Sequence, residues 1–360
     1  MQVALIELYT SHDECLYSQI RFLKESGYTV HVICNVELRP RVADLDLVDN
    51  FYYLHFGAGT WSDFHELLRL RRYLITNNVK IAVLNTARGS RIRNLLLLPH
   101  HHSQFVGIGH IANKIFSGFT SRLISLKVKK YFVLNDYILP QLPGRKNIRV
   151  TSFYNIYFPP FTTVPLNKPA DAFWICIPGG IEFERKDYDS LLLQLSDVRL
   201  DPRIKFILLG KSNATRRENQ VFMQKINKKG LTDRFILFTD YVKHDEHFSY
   251  LAKTDLILPL IHPRKKRYDE YIKYKISGAF NLAFGFQIPM LCEETFRGFD
   301  DFVASSFFYT EDQLVTELNS LVYRDEEIKQ KSNEIKKYPK FQFDYQKNKY
   351  IEFICSKNNP

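Results

Sequence analysis

Short apolar runs alternate with amphipathic stretches through most of the chain. Between residues 235 and 294 the order is FILFTDYV, a polar helical stretch HDEHFSYLAK, the run DLILPL, and then KYKISGAFNLAFGFQIPMLCEE. Two apolar runs flanking a helix, followed by a Ser-Gly helix start and a third run opening at Pro289, predict a parallel βαβ succession. The first half carries the same alternation. A strand from Val3 to Leu8 leads to a helix through Gln19 and Leu23, stopped at Ser26-Gly27, and to a strand from Thr29 to Cys34. Further strands are expected at Tyr52 to Phe56, Ile81 to Asn85, Phe105 to Ile108 and Tyr131 to Leu134.

The pattern predicts an α/β protein of two doubly wound units. The boundary falls in the loop Tyr157 to Ala170, whose Pro159, Pro160, Pro165 and Pro169 remove backbone donors and resist joining either sheet. This gives a first domain over 1–160, a second over 171–335, and a final helix within 340–360. In open α/β sheets ligands gather outside the carboxyl ends of the strands, and helix N-termini there attract anions. In the first domain those ends carry Ser11-His12-Asp13-Glu14, Asn85, His110 and Asn135. In the second, Lys275, Ser277 and Gly278 fall at such an end.

Composition sets limits on function. At 360 residues, 45% hydrophobic and 25% charged, the chain is ordinary globular material for about two domains. Cys15, Cys34, Cys176, Cys292 and Cys355 are odd in number and scattered, and four lie in or beside apolar runs. That usage predicts reduced thiols and a reducing compartment. The start MQVALIELYTSHDE lacks a signal-peptide pattern, and no run reaches the ~20 apolar residues of a spanning helix. The expected location is the cytoplasm, or the inner face of the cell membrane.

The net charge of +11 calls for an anionic partner or a well-solvated surface. With no zinc-finger spacing, ribonucleoprotein motif or recognition helix, nucleic acid is not the expected partner. Anionic lipid fits better. In HIANKIFSGFTSRLISLKVKK, Ile111, Ile115, Phe119 and Leu123 recur every four residues among Lys114, Arg122 and Lys127. This predicts a helix over His110 to Lys130 that lies in a bilayer interface or packs in the core with one basic edge. The triplet His100 to His102 has no spaced ligand partner and reads as an exposed loop.

The run from strand through Tyr241-Val242 and a helix to Ala252-x-x-Asp255-Leu256-x-Leu258-Pro259, then a small-residue helix into Gly285-x-x-x-Pro289, resembles the donor half of GT-B glycosyltransferases. It is similar in particular to the family 4 type group that builds bacterial surface polysaccharides. Upstream, WICIPGGIEFERKDYDSLL resembles that group's Gly-Arg-x-x-x-x-Arg-Lys-Gly turn. The resemblance implies two Rossmann-like domains facing a central cleft, with the C-terminal helix crossing back to the first. It also implies transfer of a sugar from a nucleotide-diphosphate donor to a hydroxyl of a glycan or lipid-linked acceptor, with no metal required.

Two departures stand out. Gly180 occupies the position of the donor-phosphate arginine, and Glu270 has Gly278 as its counterpart in the paired-glutamate signature. Phosphate charge would fall instead to Lys186, Lys211 or Lys275, because a pyrophosphate leaving group needs cations or helix dipoles. Asp187-Tyr188-Asp189 reads as the first turn of a helix rather than a metal motif. The donor site expected from the resemblance comprises Gly179, Gly180, Lys186, Lys211, Tyr241 and Val242 beside the base, and Lys275, Ser277 and Gly278 at the diphosphate.

His110 resembles a histidine that some GT-B enzymes aim at sugar or acceptor, and a packed or capping histidine is the alternative. After the first strand, Ser11 and Glu14 fit a capping box, leaving His12 and Asp13 as base candidates. Two other functions fit the same architecture: a sugar-nucleotide epimerase, and a non-enzymatic two-lobed sugar or nucleotide binder.

Overall fold

The computed structural model describes residues 1–57, 59–99, 103–213 and 215–356; His100, His101 and His102 lie outside them. The chain divides into two compact units. Unit 1 comprises Met1–Pro159, Lys273–Ile276 and Phe343–Pro360; unit 2 comprises Pro160–Ile272 and Ser277–Gln342.

Unit 1 is built on a seven-stranded sheet of β1 (Gln2–Glu7), β2 (Thr29–Asn35), β3 (Asn50–Leu54), β4 (Ile81–Leu84), β5 (Gln104–Ile108), β6 (Lys130–Val133) and β7 (Arg149–Ser152), in spatial order β3-β2-β1-β4-β5-β6-β7. All pairings are parallel. Val3 to Ile6 are buried on both faces of the sheet, which is why this strand reads as an unbroken apolar run up to the buried Glu7. The chain moves outward from β1 to β3, then returns to β4 and proceeds the other way. Right-handed crossovers therefore place the helix Leu16–Glu25 on one face and the helices Thr60–Thr76, Gly89–Leu97 and Phe119–Lys127 on the other. The last three pack in succession, and Leu16–Glu25 packs against the C-terminal helix Phe343–Cys355.

That C-terminal helix is anchored by chemistry as well as by apolar contact. Tyr350 is fully buried, stacks on Phe132 at 4.8 Å, and donates its hydroxyl to Gln19 Oε1 at 2.9 Å. Gln346 Oε1 accepts the Tyr154 N–H at 2.9 Å, and Lys349 Nζ reaches Asp136 Oδ1 at 2.8 Å. The buried Lys130 ammonium donates to the carbonyls of Ile354 and Ser356, satisfying the last turn of the helix.

Unit 2 holds a six-stranded parallel sheet of β8 (Phe173–Pro178), β9 (Ile204–Lys211), β10 (Phe235–Phe238), β11 (Leu256–Ile257), β12 (Met290–Glu293) and β13 (Ser306–Tyr309), in order β10-β9-β8-β11-β12-β13. Its core runs through Ile175, Ile177, Phe206, Leu208, Leu258 and Leu291. Residues 153–169, which lead into this sheet, form no helix or strand. Within unit 2 this segment is held by Asp245, which accepts the Thr162 N–H, and by Ser249, which accepts the Val164 N–H.

One expected element differs. Residues 110–130 do not form one helix: a 3-10 turn covers Ala112–Ile115, Gly118 sits at φ 83°, and the α-helix runs only from Phe119 to Lys127. A left-handed residue interrupts any continuous α-helix. Ile115 turns inward, so close to Gly109 that a Cβ there would lie 2.4 Å from Ile115 Cδ1, whereas Phe119 points to solvent. The four-residue period therefore does not describe one face.

Candidate functional site

Each sheet has one point where strand order reverses, and a cluster of polar side chains lies at each. In unit 1 the reversal falls between β1 and β4. Glu7, the last residue of β1, is fully buried; its Oε2 accepts from Thr86 Oγ1 at 2.6 Å and Asn85 Nδ2 at 2.9 Å, and its Oε1 from the Tyr9 N–H at 2.9 Å. Burial outweighs these donors and pushes its pKa up to about 7.

Asn85 is the hub. Its Nδ2 also donates to the His12 carbonyl at 2.7 Å, its Oδ1 accepts from Gln19 Nε2 at 2.9 Å, and its own carbonyl accepts from His110 Nε2 at 2.6 Å. Because a carbonyl only accepts, His110 carries its proton on Nε2. Burial, reinforced by the neighbouring His12, holds the His110 pKa down at about 3, so this imidazole is neutral. His12 stacks on it, with ring centroids 3.7 Å apart and planes 14° from parallel.

His12 sits at φ 69° and caps the 3-10 turn Asp13–Cys15 without a side-chain hydrogen bond. The capping box expected from Ser11 and Glu14 is therefore not formed. Glu14 Oε1 lies instead 3.3 Å from His12 Nδ1, a contact that holds the proton on Nδ1 and leaves Nε2 as a lone pair. Asp13 is committed elsewhere: it pairs with Arg41 at 3.0 Å, and burial, against that guanidinium, raises its pKa. Of the three candidates in unit 1, His12 has the arrangement of a base, His110 is a neutral ring that supports it, and Asp13 is half of an ion pair.

In unit 2 the reversal falls between β8 and β11. Gly179, at φ 84°, and Gly180 turn the chain out of β8. Gly210 of β9 packs so tightly against this turn that a Cβ on it would lie 2.6 Å from the Gly179 carbonyl carbon. Lys186 is 3% exposed and donates to the carbonyls of Pro178 at 2.5 Å and Gly180 at 3.2 Å. Burial pushes its pKa down to about 7. Its amino group is thus spent on holding the turn.

Asp187 caps the helix Tyr188–Asp197 as expected, and its N–H donates to the carbonyl of Leu260, itself at φ 54°. The buried His262 places Nδ1 3.6 Å from Asp187 Oδ2, with Lys265 Nζ 3.5 Å from Oδ1. Lys211, at the end of β9, is exposed. So is Arg216, whose Nη1 lies 3.9 Å from the place a Gly180 Cβ would take. Neither side chain has a partner among the described residues.

Ser277 caps the helix Gly278–Phe286 by accepting the Ala279 N–H, and Gly278 faces open space. Tyr241 is exposed and Val242 buried. Lys275 belongs to unit 1, where its carbonyl accepts the Tyr137 hydroxyl at 3.0 Å. Among the described residues no group of three metal-ligating side chains occurs, and no helix is long and apolar enough to cross a membrane. Sequence reasoning missed Glu7, the orienting role of Glu14, His262 and Arg216. For Arg216 a signal existed, a double arginine just after a strand end, in the stretch KSNATRRE.

No protein-family model and no curated protein matches the chain. Solved structures do. A glycosyltransferase from Rickettsia africae superposes with a TM-score of 0.68 at 11% identity, over 98% of this chain and 97% of that one. Alr3699/HepE from Anabaena, in complex with UDP, gives 0.63 at 13% identity over 98% and 99%. A protein from Listeria monocytogenes described as a UDP-N-acetylglucosamine 2-epimerase gives 0.60 at 9% identity over 98% and 95%. Together with the two parallel Rossmann-like sheets, these likenesses establish the GT-B fold.

Proposed function

We propose that the protein is a glycosyltransferase that moves a sugar from a nucleotide-diphosphate sugar to a hydroxyl of a glycan or lipid-linked acceptor. The observation that carries this reading is the unpartnered Arg216 guanidinium beside Gly180. The resemblance expects a phosphate-binding arginine at position 180; here a cation from the next strand end stands beside the same turn. HepE, of the same fold, is described in complex with UDP.

In unit 2, Arg216 and Lys211, with the N–H groups opening the helix at Gly278, meet the charge of the departing diphosphate. In unit 1, His12 Nε2 takes the acceptor proton while Glu14 holds the tautomer. The acceptor oxygen bonds to the anomeric carbon as the bond from that carbon to the phosphate oxygen breaks, and the nucleoside diphosphate leaves with the electron pair. This work is assigned to protein cations rather than to a metal. Surface polysaccharide or glycoconjugate synthesis in the cytoplasm suits the reading, and four buried free thiols suit a reducing compartment.

The test is incubation with a panel of nucleotide sugars, with and without glycan and lipid-linked acceptors. Nucleoside diphosphate release that depends on acceptor supports transfer. Conversion of the sugar without acceptor would replace this reading with epimerisation.

A further inference from the structure

The helices Thr60–Thr76, Gly89–Leu97 and Phe119–Lys127 lie side by side on one face of the unit 1 sheet, and their outward surface is unusual for a soluble layer. Trp61 is 78% exposed, and Phe64, Leu68 and Ile75 are exposed with it, at spacings that share one side of the helix. The opposite side buries Leu67, Leu70 and Leu74. On the neighbouring helices Leu97 is 63%, Phe119 72% and Leu126 64% exposed. Several large apolar side chains exposed on three neighbouring helices mark an interaction surface.

Cations are interleaved with them. Arg72 continues the Trp61 and Leu68 side of its helix, Arg122 lies between Phe119 and Leu126, and Lys114 and Lys127 stand nearby; all four are exposed with no side-chain partner among the described residues. We infer that this three-helix face is a docking surface for an anionic lipid bilayer. The aromatic side chains enter the headgroup boundary while the arginines and lysines neutralise lipid phosphate. Charge complementarity selects this occupant: a protein partner buried against the same face would leave four cations to be desolvated or matched, whereas an anionic membrane meets each of them. The inference stands independently of the transferase reading.

Trp61 makes the test specific, because the chain has two tryptophans and the other, Trp174, is 3% exposed. The full-length protein is mixed with vesicles of phosphatidylcholine, with and without phosphatidylglycerol, while tryptophan emission and co-flotation are followed. The expected result is a blue shift and co-flotation with the anionic vesicles only, reversed by salt. Trp61→Ser with Phe119→Ser, and separately Arg72→Glu with Arg122→Glu, should each weaken binding by about tenfold or more. All four positions are exposed, so these variants keep the fold. Absence of both signals at low salt, or wild-type binding by both double variants, overturns the proposal. So does lipid-free self-association of the wild type that the Trp61→Ser, Phe119→Ser variant abolishes, since the occupant would then be a second copy of the chain.

Discussion

The imidazole of His12 lies 3.7 Å from that of His110 and almost parallel to it. One ring is fixed and neutral, its Nε2 proton given to the Asn85 carbonyl, and the other is half-exposed with a carboxylate at its Nδ1. Because the His110 ring stays neutral, the stack sets no second imidazolium against His12.

If His12 is the base, His12→Ala lowers turnover by ~10²-fold or more with little change in donor affinity. Glu14→Gln keeps the hydrogen bond but not the charge, and should cost less. Steady-state kinetics with donor binding measured separately checks both. Asp13→Asn, which breaks only the Arg41 pair, should leave turnover within a few fold; a larger loss there, with His12→Ala active, would transfer the role to Asp13.

Asn85 joins Glu7, Gln19, His12 and His110 through both its side chain and its backbone carbonyl. Asn85→Ala leaves buried groups unsatisfied and should cost about 1 to 3 kcal/mol of stability, read from urea unfolding. Turnover should fall with it, because the left-handed turn at His12 loses its anchor. A variant as stable and active as wild type would show that the hub is dispensable.

The fold and the unit 1 strand ends were legible because buried parallel strands are apolar runs bounded by turns, and such runs survive without knowledge of tertiary contacts. The finer site was not. Ser11 and Glu14 satisfy the capping pattern in sequence, but His12 takes the left-handed position and draws Glu14 to its ring. The 110–130 helix failed because a periodicity count gives Gly118 no weight, although its φ of 83° divides the segment. Lys186 looked like a phosphate ligand by alignment, yet burial turned it onto its own turn's carbonyls. Arg216 is beside Gly180 only because β9 pairs with β8, a relation the linear order does not display.

Arg216→Ala should weaken nucleoside diphosphate binding by on the order of 1.5 to 3 kcal/mol, the scale of a charge-assisted phosphate contact. Calorimetry on Arg216→Ala and Lys275→Ala separates the two candidates. Unchanged affinity in the first with a large loss in the second would move the diphosphate contact to Lys275.

Lys186 also makes a pH prediction. Its native pKa is about 7, below the ordinary 10.5, so between these values the unfolded chain binds a proton that the native state does not. Stability from this residue therefore rises with pH across that window, and the full cost is present below it, with a slope of up to about 1.4 kcal/mol per pH unit. Denaturation of wild type and Lys186→Met from pH 7 to 10 should show the wild type gaining on the variant. Parallel curves would mean that Lys186 stays charged in the native protein.

Whether unit 2 holds a nucleoside diphosphate decides the donor assignment. The direct measurement is the thermal midpoint of the full-length protein against a panel of nucleoside monophosphates, diphosphates and diphosphate sugars. A ligand that binds only the native state raises that midpoint in proportion to its affinity and concentration. The expected result is an increase with at least one nucleoside diphosphate and its sugar derivative, a smaller one with the monophosphate, and its loss in Arg216→Ala. No increase with any diphosphate, at concentrations that saturate ordinary donor sites, would contradict the assignment.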